Sequence, residues 1–261
     1  MRFFGDYHIH TRRSDGRQNE EQVITAALEQ GLKEIALTDH GPLAAGIGVK
    51  NPEVYLELKE RVENLHPLYP DLTILVGAEA NIRDLDGTLD IPPEVLSQLD
   101  IVIAGLHPYT LPTSVQDGMG IFVQNSLRHL GKAQREKAIN ANTKATIEAI
   151  YNHPQLDILS HPGLFFSVDM EEVARACVKE GVLFEINCGH EHPDVSDIII
   201  AEREGVSFIV NSDAHFTDTV GDLRYGSEII AQLEIDSERI ANALDGGGHT
   251  RWAKKHNAFT F

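Results

Sequence analysis

The sequence has few cysteines and no long run of apolar residues. Cys177 and Cys188 are the only two cysteines, too few for a disulfide framework. No apolar stretch approaches the roughly 20 residues that a membrane-spanning helix requires. Residues 1–6 lack the apolar core and small-residue cleavage site of a secretory signal. We therefore expect a cytoplasmic protein that makes no contact with a membrane.

Basic residues are also scarce. The chain has 22 Lys and Arg against 40 Asp and Glu, which gives a formal net charge of −18. Non-specific nucleic-acid binding depends on phosphate neutralisation by cationic side chains, so this charge argues against it. It would also repel an anionic substrate unless bound divalent cations dominated the local field. The 13 histidines agree with such cations, because imidazole is the commonest metal ligand.

Short apolar runs alternate with helical segments along the chain. Such continuous runs are typical of parallel strands buried on both faces. We predict seven strands, at residues 6–11, 34–38, 73–79, 101–106, 156–160, 182–187 and 207–211. The pattern predicts a single α/β barrel domain over residues 1–261. A doubly wound open sheet is the alternative, disfavoured because no glycine-rich phosphate loop follows the first strand.

Helices are predicted between these strands. We place them at residues 19–30, from 52, near 92 or 93, at 125–140, 143–151, 169–179, 195–204, 226–232 and 237–243. Asn19 and Asp169 are suitable N-caps, and Gly31, Gly181 and Gly205 are suitable helix ends. Residues 81–90 read as a weak strand or turn. Residues 109–123 have no clean periodicity and are expected to form a long loop over a site.

The first predicted strand carries two histidines, His8 and His10. Residues two apart in a strand point to the same side, so both imidazoles project together and Ile9 projects the other way. A lone His-x-His pair often arises by chance. Its meaning depends on whether other parts of the chain supply further ligands at equivalent places.

Ionisable side chains stand at the C-terminal ends of most other predicted strands. In a parallel barrel these ends form one rim, where barrel enzymes place their active sites. Each residue also has a structural interpretation: the histidines that precede proline suit turns, and the aspartates suit caps. Those interpretations would have to hold jointly at six of the seven strand ends. The residues concerned, with the first pair, are His8, His10, His40, Glu79, His107, His161, Asp213 and His215.

Taken together, these motifs resemble the polymerase and histidinol phosphatase (PHP) superfamily. The resemblance implies a distorted seven-stranded (β/α)7 TIM-like barrel with up to three divalent metal ions (Zn, Mn or Fe) at the C-terminal rim. It also implies which residues would bind each metal. The first metal would take His8, His10, Glu79 and Asp213; the second would share Glu79 and add His107 and His161; the third would take Asp15, His40 and His215. Some relatives have His where this chain has Asp15, which leaves the third metal's identity and occupancy open.

The activity implied by this resemblance is metal-dependent hydrolysis of a small phosphate monoester by a metal-bound hydroxide. Glu79 would be the bridging catalytic carboxylate, and Asp15 or His215 would help to protonate the leaving group. A histidinol-phosphate phosphatase and a phosphodiesterase on nucleotides are the alternatives among phosphoesterases. A regulatory metal-binding barrel and a hydrolase of C–N bonds are further alternatives.

The sequence also suggests supporting, structural or substrate-binding roles for several other residues. Asp39 is expected to lie behind the metal ligands, and Cys188 to be structural. His190 and His192 are expected to contact solvent or substrate. The candidates for clamping phosphate are Arg12, Arg13, Lys50, Arg83 and Arg224. We expect His66, His129, His153, His249 and His256 to be ordinary surface or helix residues.

Overall fold

The computed structural model describes residues 1–244, and seven parallel strands form its centre. Each strand pairs with the next one along the chain, so the order in the sheet is that of the sequence. The strands are β1 (Gly5–Ile9), β2 (Glu34–Leu37), β3 (Thr73–Asn81), β4 (Ile101–Gly105), β5 (Ile158–Leu159), β6 (Leu183–Asn187) and β7 (Phe208–Asn211). All seven predicted strands are present.

The sheet nearly closes into a barrel between β1 and the segment that follows β7. The backbone N–H of His10 donates to the carbonyl of Ala214 at 2.9 Å, and Ala214 N–H donates to His8 O at 3.2 Å. The barrel is irregular, because β5 has only two residues and the β1–β2 register shifts between Asp6 and Ile9. The predicted distorted seven-stranded α/β barrel is therefore confirmed.

Helices connect the strands around the outside. They are α1 (Glu20–Glu29), α2 (Glu53–Leu65), α3 (Pro93–Leu96), α4 (Val115–Gly118), α5 (Gln124–Ser126), α6 (Lys132–Asn152), α7 (Met170–Glu180), α8 (Val195–Glu204) and α9 (Arg224–Gln232). Local chemistry explains several boundaries. Asn19 and Gln22 form a reciprocal capping box at the start of α1, and Gly181 ends α7 in the left-handed conformation at φ 72°. Among the helices of residues 1–244, none combines the length and hydropathy needed to cross a bilayer.

Three predictions on local structure were wrong. The segment predicted as a long loop contains α4 and a π-helical turn at Met119–Val123, because the Ser114 side chain caps α4 by accepting from Asp117 N–H at 3.1 Å. Two predicted helices are replaced by the short α5 and the single continuous α6, with Gly131 at φ 123° between them. The last predicted helix is only a 3₁₀ turn at Ser237–Arg239.

The interior of the barrel is filled below the rim. One apolar cluster draws side chains from all seven strands: Tyr7, Ala36, Leu75, Ile103, Ile158, Leu183 and Ile209. Two larger clusters fill the space between strands and helices. Ile9 belongs to one of these outer clusters, with Val23 and Ile24 of α1. The packed interior leaves the C-terminal mouth as the place where polar side chains from different strands can meet.

Candidate metal centre

The structure brings all nine predicted ligand residues together at the C-terminal mouth of the barrel. Each has an imidazole nitrogen or carboxylate oxygen within 4 Å of another member of the set. The residues are His8, His10, Asp15, His40, Glu79, His107, His161, Asp213 and His215. Parallel strands and the loops that follow them bring these residues together although they are far apart in sequence.

Glu79 lies at the centre of this group, with histidines around both of its carboxylate oxygens. Oε2 is 3.3 Å from His8 Nε2 and 2.8 Å from His40 Nδ1. Oε1 is 3.2 Å from His107 Nε2 and 2.9 Å from His161 Nε2. A carboxylate placed this way can bridge two cations, as carboxylates do in two-metal sites.

Asp213 faces the histidine pair of β1. Its Oδ1 is 3.1 Å from His10 Nε2 and 3.5 Å from His8 Nε2. The rings of His8 and His10 are 5.0 Å apart, on the same side of the strand. Asp213 Oδ2 accepts from Asn187 Nδ2 at 3.0 Å, which fixes the carboxylate against the barrel.

Asp15 gathers a second set of ligand atoms at the outer edge. Its Oδ1 is 3.4 Å from His215 Nε2, and its Oδ2 is 3.8 Å from His40 Nε2. Ligand atoms of His10, Asp15, His40 and His215 all lie within 4.8 Å of one another. His40 therefore stands between two groups, because its other nitrogen faces Glu79.

Several polar atoms at the centre are buried without a hydrogen bond among residues 1–244. They are His8 Nε2, both ring nitrogens of His10, His40 Nδ1 and Glu79 Oε2. Buried polar atoms without partners are costly, and native proteins rarely keep so many in one place. Imidazole nitrogens and carboxylate oxygens suit Zn, Mn and Fe, so the residues present fit divalent cations.

The electrostatics of the centre favour ionised carboxylates and positive charge between them. Burial opposes ionisation of Glu79, but His8, His107 and His40 hold the pKa of that carboxyl well below its usual range. Burial and the nearby His40 lower the pKa of His10 to about 3, which leaves its ring neutral. Despite burial, Asp213, Glu185 and Glu79 raise the pKa of His8 well above its usual range. The carboxylates thus create a field that favours positive charge.

Two predicted ligands have strained backbones. His161 has φ 26° and Asp213 has φ 53°, both in the left-handed region that residues other than glycine rarely adopt. Such strain persists when the surrounding contacts over-determine the conformation, and it clusters at functional sites. His161 N–H donates to Glu185 Oε2 at 2.8 Å, which is one such contact.

Two residues that orient ligands were missed by sequence reasoning, Glu185 and Asn81. Glu185 Oε1 lies 2.7 Å from His8 Nδ1, and Asn81 Oδ1 lies 2.8 Å from His107 Nδ1. A carboxylate can only accept, so His8 carries its proton on Nδ1 and presents Nε2 to the centre. The available signal for Glu185 was a lone charge in an apolar strand.

Asp39 does not contact the His40 ring directly. Its carboxylate accepts from Thr11 N–H and Thr11 Oγ1, each at 2.7 Å, and from Ser14 Oγ at 2.5 Å. The residue therefore holds the loop that carries Asp15, and it lies behind the ligands as the sequence suggested.

A cavity of about 460 Å³ opens above the ligands. Its lining is histidine-rich and partly aromatic: Asp15, His40, Ile47, His107, Tyr109, His161, Phe165, Gly189, His190, Ser212, Asp213, His215, Phe216 and Thr219. Phe165 packs edge-on against His161, with ring centroids 5.5 Å apart. No Lys or Arg of residues 1–244 is among the lining side chains.

None of the candidate phosphate clamps, Arg12, Arg13, Lys50, Arg83 and Arg224, lines this cavity. Arg13 is turned to Glu20 at 2.7 Å. Arg224 is turned to Asp222, also at 2.7 Å. Arg83 donates to the carbonyl of Leu111 at 3.0 Å. Carboxylates and a carbonyl outside the cavity thus bind these three guanidinium groups.

The remaining histidines and Cys188 have varied surroundings. His190 lines the cavity, 3.5 Å from Asp213 Oδ2, whereas His192 Nε2 lies 2.9 Å from Pro162 O. Cys188 Sγ accepts from Gly226 N–H, in agreement with a structural role. His66 and His153 have backbone carbonyl neighbours, and His129 lies at a separate cavity. His249 and His256 lie outside the described residues.

The fold and the site together define a class: a parallel α/β barrel whose rim gathers imidazoles around a shared carboxylate. Residues 6–188 match the family model described as PHP domain. The chain belongs to the PHP domain family.

Relatives and solved structures agree with this membership. A protein of Thermoanaerobacter sp. (strain X514) named "Probable phosphatase" is 31% identical over 93% of this chain and 91% of its own length. One of the same description from Shewanella piezotolerans is 29% identical over 93% and 90%. Histidinol phosphate phosphatase from Lactococcus lactis, solved with zinc, L-histidinol and phosphate, superposes with a TM-score of 0.58. Its identity is 18%, covering 87% of this chain and 92% of that one, so it shows a common fold.

Proposed function

We propose that this protein is a metal-dependent phosphatase that hydrolyses a small phosphate monoester. The observation that carries the proposal is the central position of Glu79, with His8 and His40 at one carboxylate oxygen and His107 and His161 at the other. Membership of the PHP domain family and the names of the relatives support the reaction class.

We assign up to three divalent cations to the nine residues gathered at the rim. His8, His10, Glu79 and Asp213 would hold the first, and Glu79, His107 and His161 the second. Asp15, His40 and His215 would hold the third. Bound there, the cations would supply Lewis acidity and lower the pKa of coordinated water.

Asp15 and His215 are placed to handle a proton at the leaving group. Both line the cavity, and both are only partly buried. Although burial opposes it, the hydrogen bond that Asp15 accepts from His215 and the charge of Asp213 raise the pKa of His215 to about 9. This protonation belongs to the metal-free centre, since a histidine that binds a cation must be neutral. With the third cation bound, the proton for a departing alkoxide would therefore come through water held beside Asp15 and His215.

The cavity suits a small ester with an apolar or aromatic leaving group. Its volume lies within the range of small-molecule sites. Tyr109, Phe165 and Phe216 supply its aromatic surface. Because its lining contains no Lys or Arg from residues 1–244, the negative charge of the phosphate would have to be neutralised by bound cations.

A substrate panel on metal-reconstituted protein tests the proposal. The protein would be loaded with Zn, Mn or Fe and assayed with p-nitrophenyl phosphate, histidinol phosphate, a nucleotide series and a phosphodiester. Turnover of monoesters well above the diester is expected. Glu79→Ala and His161→Ala should abolish turnover in a folded protein, whereas His66→Ala, far from the centre, should not. Metal-loaded protein that hydrolyses none of these esters would instead support a regulatory metal-binding barrel.

A further inference from the structure

A second cavity, of about 310 Å³, lies between α5, the start of α6 and the chain near Ser167. Arg128, His129 and Arg135 contribute to its wall, and none of its lining residues carries a carboxylate. In a chain with 40 acidic and 22 basic residues, two guanidinium groups and an imidazole around one cavity without an acid are unexpected.

The cationic groups of this cavity are not neutralised by the protein. Among residues 1–244, neither arginine forms an ion pair and the His129 ring has no hydrogen-bond partner. Most other arginines of residues 1–244 bind a carboxylate or a carbonyl of the protein. For example, Arg13 binds Glu20, Arg175 binds Glu204 and Arg239 binds Glu202. The guanidinium groups at the cavity therefore keep their capacity to bind an anion.

Hydrogen bonds join the polar residues at the floor of the cavity. Asn125 and Asn142 are buried and joined by two amide hydrogen bonds, of 2.6 and 3.0 Å. Asn142 Nδ2 also donates to Ser167 O at 2.8 Å. Arg128 Nη1 donates to Asn125 O at 2.7 Å, which holds one guanidinium at the wall. A preformed wall lowers the entropy lost when a ligand binds.

We propose that this cavity binds a phosphate group, either as inorganic phosphate or as part of a small phosphorylated metabolite. Guanidinium groups bind phosphate through paired, charge-assisted hydrogen bonds, and two of them can hold one tetrahedral anion. The cavity volume admits a phosphate with a small organic substituent.

This site is separate from the metal centre and does not depend on the proposed reaction. None of its lining residues is a predicted metal ligand. The two cavities approach each other along one segment, where Phe165 lines the first and Ser167 the second.

Phosphate binding to metal-loaded protein by isothermal titration calorimetry tests the site. We expect wild-type protein to bind one more equivalent of phosphate than an Arg128→Gln/Arg135→Gln double variant, or to bind it at least tenfold more tightly. A Lys132→Gln/Lys144→Gln double variant is the matched control. It also removes two positive charges from α6, but neither lysine lines the cavity. The control should bind phosphate like wild type.

Equal phosphate binding by all three proteins would overturn the proposal, as would an equal loss in the control. Circular dichroism and thermal melting would show that each variant is folded. Phosphate bound at the metal centre would be common to all three proteins. Absence of binding at the metal centre would therefore not resemble absence of binding at the second cavity. Methylphosphonate distinguishes the two sources: competition indicates that a phosphorylated metabolite is accepted, whereas binding of phosphate alone indicates inorganic phosphate.

Discussion

His8 Nδ1 lies 2.7 Å from Glu185 Oε1, and both side chains are completely buried. The other oxygen of the same carboxylate accepts from the backbone N–H of His161 at 2.8 Å. One residue of β6 thereby positions two of the proposed metal ligands, one through its ring and one through its backbone. Asn211 Nδ2 donates to Glu185 at 2.8 Å and fixes the carboxylate in turn.

Glu185→Gln should weaken metal binding while the barrel stays folded. The amide keeps the size of the side chain but loses the charge that orients and polarises the His8 ring. Loss of such a supporting group typically lowers metal affinity or activity about 10- to 100-fold. The measurement is metal content after dialysis against a graded chelator. Glu34→Gln is the control, since Glu34 is also a buried strand glutamate but pairs with Tyr7. Equal metal retention in both variants would contradict the role given to Glu185.

Asp15→Asn should remove the cation that we propose at the outer edge and leave the two proposed inner cations. Asp15 contacts His215 and His40 there, but does not approach Glu79 Oε1, His107 or His161 within 4 Å. A neutral amide is a weaker ligand than a carboxylate for a divalent cation. Metal analysis should show about one equivalent less than in wild type, with a lower kcat. Loss of all the metal would mean that the outer ligands around Asp15 and the inner ligands around Glu79 do not bind metal independently.

Gly87→Ala should destabilise the protein more than Gly31→Ala. Both glycines have φ +75°, so alanine is strained at either position. At Gly31 the added Cβ meets nothing within 4 Å, whereas at Gly87 it would lie 2.1 Å from Ala149 N in α6. We expect about 1 kcal/mol for the first variant and about 3 kcal/mol or more for the second. Urea unfolding measures both, and equal losses would show that α6 can move away.

Cys177 should be inert to thiol reagents in the folded protein. Burial raises the pKa of its thiol to about 12, so very little thiolate, the reactive form, exists at pH 8. The unfolded thiol ionises near pH 8.5. This residue's contribution to stability is therefore present below that pH and lost as the pH rises toward 12. Reaction with Ellman's reagent at pH 8 should begin only when urea unfolds the chain. Rapid labelling under native conditions would show that the structure around Cys177 opens locally. The Cys177→Ala variant shows which part of the labelling comes from Cys177.

Much of the barrel could be read from the residue pattern. Buried parallel strands leave continuous apolar runs, and the residue that follows each run lies at the same mouth. For that reason His40, His107 and His161 could be placed at one rim without coordinates. The helical segment after Ser114 was missed because its pieces are short and its periodicity is broken by a π turn.

Contacts between distant residues could not be derived in this way. Glu185 meets His8 across 177 positions of sequence, and no local pattern specifies which buried carboxylate will face which ring. The orientation of the candidate phosphate clamps Arg13 and Arg224 could not be predicted for a related reason. A loop arginine can reach many partners, and neighbours such as Glu20 and Asp222 bind it before the cavity does.

The order of the strands and the rim that carries the candidate ligands follow from the chain's periodicity, because strand geometry is local and repeats. The sharing of Glu79 by two groups of histidines, the support of Glu185 behind them and the arginine-lined second cavity emerge only on folding. Each of these three features depends on side-chain direction and on the packing of segments that are remote in sequence. A local pattern of residues encodes neither the direction nor the packing.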